Sequence, residues 1–224
     1  MHALIEWAIR GIPGGTGQRI RLAYYRGRLG RCGRNVRIDE YVVFHNPRNI
    51  EIGDHVWIMS GAVLTAPSGS ETDVEDNKTV IAADAGAAAV DRGKLRIGSE
   101  VQVGHFNILN GIGGLAIGDC VTLSANVAIY SATHLDRDPS DPSVRVGANG
   151  MVRSRPVFSR HRPVSIGEGA WLGLGVAVVC ASVGRDAFVQ SASVVTQDAP
   201  DNAVMAGAPA AYKRDRFSAA RAGR

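Results

Sequence analysis

The sequence predicts an all-β solenoid, a coil of short flat strands around a prism-shaped core, with a short helical segment before it and a basic tail after it. Three observations carry this. Aliphatic residues return at every sixth position through most of the chain, 27 of the 224 residues are glycine, and aromatics are only 6%, too few for an aromatic-packed sandwich. A period of six fits neither a helix nor an alternating strand. It fits a coil of three strands in which one aliphatic residue per strand points inward.

The rhythm is plainest from Ile166: "IGEGAW", "LGLGVA" and, after a five-residue step from Val178 to Val183, "VGRDAF", "VQSASV", "VTQDAP". "IGDHVW", "IMSGAV" from Ile52, "IGSEVQ", "VGHFNI" from Ile97, and "IGDCVT", "LSANVA", "IYSATH" from Ile117 repeat it. A small residue usually stands four places after the aliphatic one, and Gly, Asp or Asn is expected at the corners, where φ is often positive. Two "IG" pairs would mean little. About a dozen units in register exclude chance and define a repeat architecture.

Before the coil, residues 3 to 10 and 16 to 29 are expected to be two short helices split by "GIPGG". Leu4, Ile5, Ala8 and Ile9 form one apolar stripe, and Ile20, Ala23, Tyr24 and Tyr25 another. Two roles stay open for residues 1 to 32: a cap over the exposed first coil, or a face lying on a membrane with Trp7 and the Arg side chains at the headgroups. The coil then occupies 33 to 210 and the basic tail 211 to 224.

Two stretches break the rhythm. Residues 68 to 94 begin acidic and become Ala-rich, and read as an inserted loop or arm that is either solvated or functional. Residues 135 to 163, Asp-rich and then basic, spring directly from His134, which makes them an active-site loop.

Net charge is +4, but it is segregated. Residues 1 to 37 hold eight Arg against Glu6 alone, residues 211 to 224 hold five cations against Asp215, and 12 basic face 19 acidic residues between them. Such ends suit anionic lipid or a phosphorylated cofactor. No nucleic-acid-reading motif accompanies them. Cys32, Cys120 and Cys180 are odd in number and form no CxxC pair, arguing for a reducing cytosol. The apolar run at the start, interrupted by Glu6, is too short for a signal-peptide core or a membrane span.

The units above, with "NPRNIEIGDHVWI", the His after "YSAT", "VSIGEGAWLGLGV", "SVVTQDAP" and "VMAGAPA", resemble the hexapeptide-repeat acyltransferases, whose fold is a left-handed parallel β-helix. Within them the chain is most similar to sugar O-acetyltransferases of the maltose, galactoside and polysaccharide-biosynthesis type. The resemblance covers about residues 33 to 212, apart from the 68 to 94 insertion. It implies a homotrimer with active sites between subunits, acetyl-CoA as co-substrate, and a sugar or a lipid- or nucleotide-linked sugar as acceptor. His134 takes the position of the general base, Asn107 that of an acceptor contact, and Trp171 that of a pocket wall. Gly173 and Leu174 match the stretch meeting the thioester, and Thr196 and Arg214 the nucleotide end of CoA. Gln197 and Ala211 replace two usual phosphate contacts, leaving Lys213, Arg214 and Arg216 to supply the cations.

Transfer of an acetyl group from a thioester to a hydroxyl needs a base that takes the hydroxyl proton and returns it to the thiolate. Imidazole, with a reference pKa near ~6.5, does this at neutral pH. Each assignment has a structural competitor: Asn107 as a ladder residue, Trp171 as packing, Asp136 and Asp138 as an acidic turn rather than partners of His134. His105 either orients an acceptor or decorates the coil, and His45, His55 and His161 have no evident partner. The β-helix enzymes that bind a metal through three His need two of them five residues apart, a spacing that the six His here lack, so no metal is expected. N-acetylation of an amino sugar and a non-catalytic scaffold are the alternatives to O-acetylation.

Overall fold

The computed structural model describes residues 2–68, 78–82, 90–147 and 154–218. The acidic run at 71–77, the Ala-rich run at 83–89 and the end of the basic tail lie outside the described residues.

The coil has three parallel faces. Strands Arg31–Cys32, Ile50–Ile52, Leu95–Ile97, Leu115–Ile117 and Val164–Ile166 stack on the first. The second runs from Arg37–Ile38 through Trp57–Ile58, Gln102–Val103, Thr122–Leu123, Trp171–Leu172 and Phe188–Val189 to Ala203–Ala206, where Ala211–Asp215 folds back antiparallel. The third holds Val43–His45, Val63–Thr65, Ile108–Asn110, Ala128–Tyr130, Ala177–Val179 and Val194–Val195. Each turn visits the faces in that order.

The six-residue rhythm is the core. Ile52, Ile58 and Leu64 occupy successive faces of one turn, as do Ile97, Val103 and Leu109, then Ile117, Leu123 and Ile129, and all are buried. Each such side chain contributes about 1.5–3 kcal/mol. Positive φ falls three residues after the aliphatic one, at His55, Gly61, Glu100, Phe106, Cys120, Asn126, Gly169 and Gly175. The corner is thus not reserved for Gly, Asp or Asn as the sequence suggested: stacking neighbours above and below hold even Phe106 and Cys120 in the left-handed region, at a cost of order 1–3 kcal/mol each.

In the corner after the first face, glycine is needed two places earlier for a different reason. A Cβ on Gly98 would collide with Asp119 Oδ1, and one on Gly53 would lie 2.6 Å from Gly98. The "IG" pairs therefore mark backbone stacking on backbone, a close approach only glycine allows.

The third corner varies in length. Leu109 to Ile117 is eight residues, whereas Val178 to Val183 is five. The short step does not disturb the register, since Ile166 still pairs with Val183, Trp171 with Phe188 and Ala177 with Val194. The deletion is absorbed in the turn.

Both excursions leave from this same corner, and they are not simply loops. Ala132–His134 pairs antiparallel with Val157–His161, which pairs in parallel with Lys78–Ala82 from the earlier insertion. A three-stranded side sheet thus joins segments far apart in sequence within one chain.

The cap consists of α1 (His2–Arg10) and α2 (Gly14–Arg26). Its buried face differs from the expected apolar stripes. Gly17, Arg21 and Tyr25 face the coil, whereas Leu4, Ile5 and Ile20 are exposed. Gly17 lets α2 approach the Ile12 carbonyl, and Tyr25 packs on Phe44 with ring centroids 4.6 Å apart. Arg21 is 1% exposed, and its guanidinium donates to the Ile38, Ile9 and Ile12 carbonyls at 3.0, 3.1 and 2.6 Å. Burial lowers its pKa, with Glu40 and Asp39 opposing the shift. One cation thereby ties α1, the interhelical loop and the first turn together.

Candidate active site

His134 ends the strand Ala132–His134, where the chain departs from the third face into the side sheet. Its side chain is exposed. Cross-strand register puts Ser159 opposite His134 and His161 opposite Ala132, so all three side chains share one face of the side sheet, because antiparallel partners project to the same side. Ser159 is buried, and its hydroxyl lies 3.4 Å from His161 Nε2. Sequence reading missed this neighbourhood: 24 intervening residues separate His134 from Ser159, and only pairing brings them together.

The root of this sheet is clamped to the last turns of the coil. Arg162 donates to both carboxylate oxygens of Asp198, at 2.6 and 2.7 Å, and to the Cys180 carbonyl at 2.8 Å. Asp198 also accepts the Ser182 amide at 2.8 Å. These contacts hold its carboxyl below the usual range, Arg162 being the main cause.

Asn107 sits four places after Val103, at the inward small-residue position, and is fully buried. Its Oδ1 accepts the Val127 amide at 2.8 Å, a rung between successive turns, while its Nδ2 is buried with no hydrogen-bond partner. An unsatisfied buried donor costs about 1–3 kcal/mol. Asp138 closes its own turn, accepting from Ser140 N and Oγ at 2.8 and 2.6 Å, as the acidic-turn alternative foresaw.

Trp171 stands on the outer side of the second face, 44% exposed. Its ring tilts against Phe188 at 4.8 Å and its Nε1 donates to Ser124 Oγ at 3.2 Å. Beyond it the backbone turns through Gly173, Leu174 and Gly175. The Gly173 amide is engaged by the Val189 carbonyl and that of Leu174 by Ser191 Oγ at 3.1 Å, so an acyl oxygen would have to displace or share the Ser191 hydroxyl. Leu174 and Thr196 are exposed, as are Lys213 and Arg214 on the antiparallel strand. Arg216 is committed elsewhere, donating to the Gly169 and Asp186 carbonyls at 3.2 and 2.9 Å. Among the described residues of the tail, the exposed cations left for a phosphorylated ligand are Lys213 and Arg214.

All three thiols are pushed up, chiefly by burial, with Glu100 adding to the shift at Cys120. They stay protonated at neutral pH, which disfavours a cysteine nucleophile. Among the described residues no group of three His, Cys, Asp or Glu is placed to hold a metal ion.

Fold and site together define a hexapeptide-repeat coil with an exposed His at an excursion. No family model matches the chain. A probable acetyltransferase of Mycobacterium tuberculosis is 28% identical over 144 residues, 64% of this chain and 44% of that protein. The galactoside O-acetyltransferase of Lactococcus lactis is 34% identical over 99 residues, 44% of this chain and 42% of that one. The chain spans about half the length of such relatives or less. Among solved structures, the N-acyltransferase AntD from Bacillus cereus, in complex with dTDP and 3-hydroxybutyryl-CoA, superposes with a TM-score of 0.65 at 16% identity over 87% of both chains. A hexapeptide-repeat-containing acetyltransferase from Vibrio cholerae gives 0.51 at 19% identity over 95% of this chain and 87% of that one. The coil and its corners match the fold of hexapeptide-repeat acyltransferases, and in sequence the chain is similar to acetyltransferases.

Proposed function

We propose that the chain is an acetyltransferase that moves the acetyl group of acetyl-CoA onto a sugar hydroxyl of a cell-surface polysaccharide or its lipid- or nucleotide-linked precursor, with His134 as general base. The observation carrying this is the position of His134: an exposed imidazole at the edge of the coil, on a strand braced by a side sheet whose root is clamped to the last turns. In this reading His134 takes the acceptor proton as the oxygen attacks the thioester carbonyl. A tetrahedral adduct forms, the C–S bond breaks, and the proton passes to the departing thiolate. Both substrates are bound together, and no covalent enzyme intermediate is needed.

Trp171 forms one wall of the acceptor pocket, Asn107 supports the acceptor side from within the coil as a rung to the Val127 amide, and beside Gly173 the Leu174 amide, exchanging the Ser191 hydroxyl, receives the thioester oxygen. Thr196, Lys213 and Arg214 hold the nucleotide end of CoA. The coil is wound left-handed and assembles as a homotrimer with sites between subunits. A ladder of apolar residues along the outside of the third face, Val43, Val63, Ile108, Ala128, Ala177 and Val194, supports that assembly. The protein works in the cytoplasm, and among the described residues no helix is long and apolar enough to cross a membrane.

A second reading, N-acylation of an amino sugar, is favoured by the fold match to AntD, solved also with dTDP-4-amino-4,6-dideoxyglucose. Calorimetric titration with acetyl-CoA, beside a His134→Ala variant, tests the transferase reading. Saturable binding retained in the variant supports it, and no binding at millimolar acetyl-CoA overturns it. Thiol release with hydroxyl or amine acceptors then separates the two readings.

A further inference from the structure

We propose that the two-helix cap is a docking face for an anionic membrane surface. A helix that merely closed the coil would turn its apolar side inward, and α1 does the reverse. Ile9 faces the protein, while Leu4 is 72% and Trp7 80% exposed, with Ala8 exposed beside them. Leu4, Trp7 and Ala8 are spaced three and four apart, which puts them on one side of a helix. Ile5 and Ile20 are also exposed. The coil end needs none of these, because Tyr25 and Leu29 already cover it.

The charge around this apolar face is one-sided. Away from the buried Gly17, Arg21 and Tyr25, α2 turns Arg19 and Arg26 to solvent. Residues 1 to 37 contain eight Arg, and their one acid, Glu6, is half-buried and accepts the Tyr24 hydroxyl at 3.3 Å. Exposed Trp and Leu on one helix, with exposed arginines on the next, is the composition of a segment lying in the headgroup layer, apolar side among the acyl chains and cations at anionic headgroups. A second copy of the same face would bring arginines against arginines, so charge disfavours self-pairing there. Docked in this way, the coil stands end-on, with its later turns and the tail furthest from the surface.

The full-length protein is sedimented with phosphatidylcholine vesicles with and without phosphatidylglycerol, while Trp emission is followed. Binding to the anionic vesicles that is weakened about tenfold or more by Leu4→Ser with Trp7→Ser, weakened by Arg19→Ser with Arg26→Ser, and reduced by added salt supports the proposal. Thermal melting of the variants checks the fold, which these exposed positions leave unchanged. No sedimentation with anionic vesicles, or equal sedimentation of the Leu4/Trp7 variant, overturns it. So does a lipid-free change in that variant's oligomeric mass, which would make the face a contact between copies.

Discussion

Replacing Arg162 by Met removes the clamp between the side sheet and the end of the coil while keeping a side chain of similar length. The hydrogen bonds to both Asp198 oxygens and to the Cys180 carbonyl disappear. The Asp198 side chain is 52% exposed against 21% for Arg162, so solvent screens the ion pair and it contributes about 0.2–1 kcal/mol. The bond to the partly buried Cys180 carbonyl adds about 1 kcal/mol. Asp198 keeps the Ser182 amide, so no carboxylate is stranded. The expected loss is about 1–2 kcal/mol, read as a drop of roughly 2–8 °C in melting temperature for a chain of this size.

The pH dependence gives a second readout. Arg162 holds the folded-state pKa of Asp198 below its ordinary value. The clamp's stabilisation is therefore complete above the unfolded value near ~3.9 and is lost as pH falls through the depressed one. Arg162→Met should remove that part of the acid dependence and leave the neutral plateau flat. Denaturant melts between acid and neutral pH measure both effects. A loss above about 4 kcal/mol would mean that the clamp is a buried network rather than a screened pair, and an unaltered acid limb would refute its coupling to Asp198.

Three further outcomes follow from the fold. Arg21→Met removes three hydrogen bonds and strands the Ile12 and Ile38 carbonyls, Ile9 keeping the Ile12 amide, and chemical denaturation should show a loss of about 2–5 kcal/mol, less whatever desolvation the cation no longer bears. Gly98→Ala places a methyl against Asp119 and Gly118, so backbone must move; a loss of about 1–3 kcal/mol in thermal melts is expected, and a neutral result would refute the stacking explanation of the "IG" pairs. Ala177→Asp sets a charge in the third-face ladder, and sedimentation equilibrium should show the proposed trimer dissociating while circular dichroism stays native; an unchanged mass would refute that assembly.

The coil was legible because its signal is local. An aliphatic residue every six positions must be buried on every turn, and from Ile52 through Leu64 to Val195 the pattern and the buried core coincide. The five-residue step at Val178 was visible too, but not its harmlessness, which rests on a turn absorbing the deletion. In the cap, periodicity located both helices yet misjudged their faces. A rule that turns apolar residues inward has no place for a buried Arg21 held by three carbonyls, or for Leu4 and Trp7 left in solvent.

The site divides the same way. Sequence by itself determined the coil and the place where His134 interrupts it, since each depends on residues within one or two turns, while the residue types at the corners were decided by the stacking of neighbouring turns. Only tertiary structure decided what surrounds that His. The side sheet joins Ala132–His134, Val157–His161 and Lys78–Ala82 through backbone hydrogen bonds, which carry almost no side-chain signature, and Arg162 meets Asp198 only because successive turns stack. Contacts made by the backbone across long separations are written in the register of the fold, and no local pattern of residue types encodes them.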